Sequence, residues 1–158
     1  MYKGKLTYTA NWDEYKHVPF WCQLDYIGIN AYFPLSDKDH PTIQQLKDDW
    51  QPWTKEISKV ANESSIPVLF TEYGYRSTLK NTNKPWESYT KPGVSMSNQQ
   101  MAYQALYEEF WDRKWFAGGF VWKWFHNHEE NGGKENIGFT PQNKPVEEVI
   151  KEYYTKPD

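Results

Sequence analysis

Val68-Leu69-Phe70-Thr71-Glu72-Tyr73-Gly74-Tyr75-Arg76-Ser77 is the stretch on which the fold turns. With Pro67 ahead of it, the run Pro67 to Thr71 is a compact apolar strand, and proline is tolerated at a strand's first residue. The run leads directly into Glu72; Gly74 lets the chain turn, and Arg76 follows closely. A short apolar strand ending on a carboxylate fits a parallel α/β sheet. There the strands are covered on both faces, and in barrels the catalytic side chains stand at strand C-terminal ends.

Three similar runs surround it. Lys5 to Asn11 alternates, with Leu6, Tyr8 and Ala10 on one side and Lys5, Thr7 and Thr9 on the other. Leu24 to Tyr32 is mostly apolar and is stopped by Pro34, and Ala117 to Phe125 contains Gly118-Gly-Phe-Val-Trp-Lys-Trp124. Between the runs the spacing becomes helical. Ile43, Leu46 and Trp50, then Ile57 and Val60, predict two helices in Thr42 to Asn62, broken at Pro52, where a second first turn can begin. Met101, Ala105, Leu106 and Phe110 predict a helix from Asn98 to Arg113 capped by Ser97, and Val146, Val149, Ile150 and Tyr153 form the inner face of a last helix starting near Pro145. The polar stretch Thr78 to Ser95 is long for a connector, and such loops tend to be functional.

Strands alternating with helices argue for an α/β fold with a parallel sheet and right-handed connections. The 158 residues, 1–158, read as one domain or a piece of one, and a closed (β/α)8 barrel needs ~250. Four units amount to half of a barrel or to a small open sheet. With 25% charged and 18% aromatic residues, neither disorder nor a coiled coil fits. The net charge of −3 offers no general attraction to nucleic acid. No apolar run approaches the ~20 residues of a membrane span, and the start at Met1-Tyr-Lys-Gly-Lys5 lacks the apolar region of a secretion signal. The single Cys22 rules out an intramolecular disulfide and a multi-cysteine zinc site.

Glu72 is the foremost candidate for chemistry, as a nucleophile or electrostatic stabiliser; the alternative is a salt bridge to Arg76 that pins the loop. Asn11 and Tyr32 stand at strand ends and would share a mouth with Glu72, Asn11 binding a ligand hydroxyl and Tyr32 bonding the carboxylate. Trp12, Trp122 and Trp124 lie at or near strand ends, and indole faces stack on the C–H faces of sugars. Trp122 and Trp124, two apart, would share one strand face with Lys123 on the other. His126 and His128 with Glu129 and Glu130 lack the spacing of a helical zinc motif and a third ligand, so a solvated loop or a substrate contact is expected there. No metal or cofactor is expected. Glu14 reads as a surface residue.

Taken in order, Leu6 to Trp12, Leu24 to Leu35, Val68 to Ser77, Gly119 to Trp124 and Phe139 to Pro145 resemble the C-terminal half of glycoside hydrolase family 113, β-mannanases built on a (β/α)8 barrel. The resemblance covers nearly the whole chain. It implies that the four runs are barrel strands five to eight. It further implies a retaining hydrolase of β-linked polysaccharide, β-1,4-mannan above all, with two carboxylates ~5 Å apart. Glu72 would be the nucleophile, held by Tyr32, and Trp122 or Trp124 the platform under the sugar. Arg76 would assist in substrate binding. The family's acid/base glutamate ends the fourth strand, upstream of everything in this chain. The isolated chain is therefore expected to be inactive or nearly so, with open barrel edges that favour self-association. Two other readings stand beside this one: a carbohydrate-binding or degenerate half-barrel without catalysis, and a small open-sheet protein with a structural Glu72.

Overall fold

A computed structural model describes residues 2–87 and 93–156. Four strands, β1 (Thr7–Asn11), β2 (Tyr26–Asn30), β3 (Val68–Tyr73) and β4 (Phe116–Val121), pair in sequence order into one wholly parallel sheet. Three helices accompany them, α1 (Ile43–Ser64), α2 (Met96–Phe110) and α3 (Val146–Tyr154). Helices α1 and α2 pack together, as do α2 and α3.

The core lies between the sheet and this helix layer. Ile27, Ile29, Val68 and Phe70 are buried from the strands, and Leu46, Trp50, Ile57, Leu106 and Phe110 from the helices. Phe70 meets Phe110 edge-on at 5.1 Å and Trp50 meets Phe110 at 4.9 Å. Each such ring pair adds roughly 0.5–1.5 kcal/mol beyond area burial. The other face of the sheet presents Thr7, Thr9, Asn11, Asn30 and Thr71, of which Thr9 and Asn11 are exposed.

Of the side expected to face inward along β1, Ala10 is buried, whereas Leu6 and Tyr8 are exposed at this edge of the sheet. The two helices expected around Pro52 are instead one helix, α1, with the proline inside it. Proline removes one backbone donor, the partner of the carbonyl four residues earlier. Pro52 and Asp48 both face solvent, where water can satisfy that carbonyl. In the preceding turn the Gln51 side-chain amide donates to the Lys47 carbonyl at 3.1 Å. Thr42 and Gln45 close a capping box at the start of α1, and Ser65 ends it in the left-handed conformation at φ 56°.

Helix α2 begins two residues earlier than expected. Ser95, not Ser97, is its cap, accepting the Asn98 amide at 3.3 Å. The inner face expected of α3 holds, with Val146 and Ile150 buried and Val149 and Tyr153 partly so. The long loop Thr78 to Ser95 is described up to Glu87 and from Gly93; its residues 88–92 lie outside the described residues. The sections on either side are joined by an antiparallel bridge between Thr78 and Val94. No helix among the described residues is long and apolar enough to cross a membrane.

Candidate active site

Strand β3 carries an irregularity on which the site depends. Ile29 of β2 is opposite Phe70, but the next residue, Asn30, is opposite Glu72, so β3 fits two residues against one. Such a bulge resets the alternation of side chains. Phe70 points into the helix layer, and Thr71 points the other way, donating its hydroxyl to Asn30 Oδ1 at 3.1 Å. Strict alternation would send Glu72 back among the helices. Instead Glu72 shares the face of Thr71, and Tyr73 takes the inward position against Tyr103 and Tyr107 of α2.

Glu72 is therefore inside the strand, not just beyond it. Its Oε2 accepts the Tyr32 hydroxyl at 3.0 Å. Burial first, and the carboxylate second, push the Tyr32 phenol far above the ordinary tyrosine range, so it stays protonated as a donor. Tyr32 stands two residues past the end of β2 and is held edge-on by Phe139 at 6.4 Å. Asn11, the last residue of β1, is exposed, and its amide reaches Glu14 Oε2 at 3.4 Å. Glu14 itself is on the surface, as expected.

Arg76 donates Nε to the Ile137 carbonyl at 3.2 Å and Nη1 to the Glu87 carbonyl at 3.5 Å. The guanidinium thus ties two loops of the mouth together. Beside it Lys144, itself buried, donates to Ser77 Oγ at 3.0 Å and to the Gly138 carbonyl at 2.9 Å. Burial, helped by the Arg76 charge, lowers the Lys144 ammonium to about 8.

Strand β4 ends at Val121, so Trp122 and Trp124 lie past it and the expected shared strand face does not exist. The Trp122–Lys123 peptide is cis. Both indoles are open, with 42% and 47% of their surface exposed. Their backbone is well held: the Trp122 amide donates to the Tyr73 carbonyl at 2.7 Å, and the buried Gln142 side chain bonds both the amide and the carbonyl of Phe125. Gly74 is required here, since a Cβ at this residue would sit 2.1 Å from the Trp122 carbonyl oxygen. His128 pairs with Glu147, and no three potential metal ligands gather among the described residues.

Trp12 follows β1 and stacks on Trp86 from the long loop, ring centres 5.3 Å apart and planes 15° from parallel. Asn11, Trp12, Asp13, Tyr32 and Trp86 line a cavity of about 430 Å³. Trp86 is not among the residues that the sequence singles out, although it stands in the long loop expected to be functional. Nor are Gln142 and Lys144, whose roles depend on contacts remote in sequence.

Four parallel strands, helices on one side and candidate side chains gathered at the C-terminal ends define half of a (β/α)8 barrel. The profile of Glycoside Hydrolase Family 113 matches residues 1–144, and the chain belongs to that family. Among solved structures, the chain is similar to a family 113 β-mannanase from Alicyclobacillus acidocaldarius in complex with ManMIm, at 26% identity and TM-score 0.79, covering 97% of this chain and 46% of that one. It is also similar to a family 113 β-1,4-mannanase at 25% identity and TM-score 0.80, covering 99% and 47%. A complex of a family 113 β-1,4-mannanase agrees in fold at 24% identity and TM-score 0.82, covering 99% and 47%. The chain thus spans about half the length of these structures. No curated protein matches it.

Proposed function

We propose that this chain carries the nucleophile of a retaining glycoside hydrolase acting on β-1,4-mannan. Glu72 attacks the anomeric carbon, the glycosidic oxygen leaves with a proton from an acid outside this chain, and water later releases the sugar from the carboxylate. The four strands are then barrel strands five to eight. The observation that carries the reading is the Tyr32 hydroxyl on Glu72 Oε2 at 3.0 Å, at the mouth of a family 113 chain. One carboxylate oxygen is thereby fixed, and the other can be aimed at a sugar. Trp122 or Trp124 serves as the platform beneath that sugar, and Asn11 and Trp12 contact the substrate. Similarity to β-mannanases supports the choice of substrate.

A fluorinated β-mannoside with a dinitrophenyl leaving group tests this directly, because so good a leaving group needs no acid to expel it. Incubation should add one fluoromannosyl group to the chain, located by peptide mass spectrometry on Glu72. No adduct, or an adduct elsewhere, would overturn the assignment. A second reading, carbohydrate binding without cleavage, is favoured by the exposed indoles of Trp122 and Trp124; it predicts sugar binding with no adduct.

A further inference from the structure

We propose that Trp86, backed by Trp12, is the stacking face for a further neutral hexose of a β-linked oligosaccharide, seated in the cavity beside Tyr32. The proposal rests on the glycosidase reading above and adds a residue and a ligand preference to it. Trp86 is 43% exposed, and one face of its indole lies on Trp12 while the rest of the ring borders the cavity. Trp12 is itself fixed from behind. Trp53 meets it edge-on at 5.6 Å and Phe33 at 6.1 Å, and Trp53 donates Nε1 to the Pro34 carbonyl at 3.0 Å. The pair forms a two-layer aromatic wall anchored in the core.

The loop that carries Trp86 is held on both sides of it. The Leu35 amide donates to the Thr82 carbonyl at 2.8 Å, Thr82 Oγ1 donates to the Ser36 carbonyl at 3.2 Å, and Arg76 reaches the carbonyl of Glu87, the residue after Trp86. Pro85 just before it is buried. A platform held in place beforehand loses little conformational freedom on binding, which favours affinity. A loop tryptophan without such anchors would have to be ordered by its ligand.

The remaining lining selects the ligand. Asn11 and Asp13 offer an amide and a carboxylate to hydroxyls, while the indole takes the apolar C–H face of the ring. Asp13, with Glu14 close by, would repel a uronic acid, so the cavity suits an uncharged hexose. Tyr32 joins this cavity to the proposed reacting centre, since it lines the one and bonds Glu72 in the other. The bound hexose is therefore a neighbour of the reacting sugar along the same chain, not a separate ligand.

Calorimetric titration of the chain, Trp86→Ala and Trp86→Phe with mannotetraose, with an oligouronide as the charged control, tests the proposal. Trp86→Ala should weaken mannotetraose binding roughly tenfold, with Trp86→Phe in between and the oligouronide bound by none. Unchanged melting of Trp86→Ala would exclude misfolding as the cause; if it melts early, Trp86→Phe decides. Equal mannotetraose affinity for the parent and the folded variants would overturn the proposal, as would tight oligouronide binding. If Glu72 is labelled by the fluorinated mannoside while Trp86→Ala binds like the parent, this inference fails and the glycosidase reading stands. If the parent neither binds mannotetraose nor becomes labelled, both fall.

Discussion

Tyr32 is the residue whose loss separates chemistry from architecture. Its phenol is half-buried and bonded to Glu72, so Tyr32→Phe removes one hydrogen bond to a charged group without changing the ring that packs on Phe139. Such bonds are worth about 1.5–3 kcal/mol, and in the complete barrel kcat should fall by roughly ten- to a hundredfold. KM should change little, and mannan turnover kinetics would show it; unchanged kcat would remove Tyr32 from the mechanism. Lys144 makes a different prediction. Its neutral amine still has two N–H groups for Ser77 and Gly138, so proton loss leaves both bonds intact. With the folded group at about 8 and an unfolded lysine near 10.4, the unfolded chain holds the extra proton between these values. Stability should therefore rise with pH through this window, and Lys144→Met should lack the rise in denaturant midpoints. At this scale Glu72 and Tyr32 were readable from position and residue type. The aim of Glu72 away from the helix layer was not, because a bulge depends on the partner strand and leaves no mark in one strand's alternation.

Among the elements, the order is as expected apart from one helix where two were expected, and the end of β1 at Asn11 and the start of α3 after Pro145 hold while other ends shift. Pro52 looked like a boundary because its cost depends on whether the freed carbonyl reaches water, and that is known only once the helix is placed. Ser95 and Ser97 are equally good caps by type; the bridge between Thr78 and Val94 brings the chain into α2 at Ser95. The end of β4 was overrun for a similar reason. Val-Trp-Lys-Trp reads as more strand, yet the backbone leaves the sheet at Val121. The junction of β3 with β4 rests on Gly74. Gly74→Ala should cost about 1–3 kcal/mol by overpacking, since its Cβ would meet the Trp122 carbonyl at 2.1 Å. Urea denaturation would measure the loss. The displaced Trp122 should also alter the chain's tryptophan fluorescence, and a neutral result in both would mean that the junction relaxes freely.

For the molecule as a whole, length and strand count leave half of a barrel and a small open sheet both open, and it is the ordered resemblance to family 113 that points to the half-barrel. What remained out of reach was how the mouth closes over the site, which depends on loops such as Thr78 to Ser95 meeting partners far away in sequence. The sheet has β1 and β4 at its edges, and Leu6, Tyr8 and Phe120 are exposed near them, Phe120 at 64%. Unpaired edges carrying apolar side chains invite further strands. The 158-residue chain should therefore associate with concentration in sedimentation experiments, and Phe120→Lys should weaken the association. A parent that stays monomeric at high concentration would contradict this.

The extra residue in β3 also separates the aim of the carboxylate from the length of the strand. Deleting the Thr71 codon would place Glu72 directly after Phe70, where ordinary alternation keeps it on the face away from α2 and keeps Tyr73 against the helix, so that the Thr71 hydroxyl on Asn30 is what is lost. Such an allele should keep the Tyr32 bond to Glu72, and turnover of the complete barrel would show it. In a set of related genes, a gap of one residue at this place is therefore compatible with a working carboxylate.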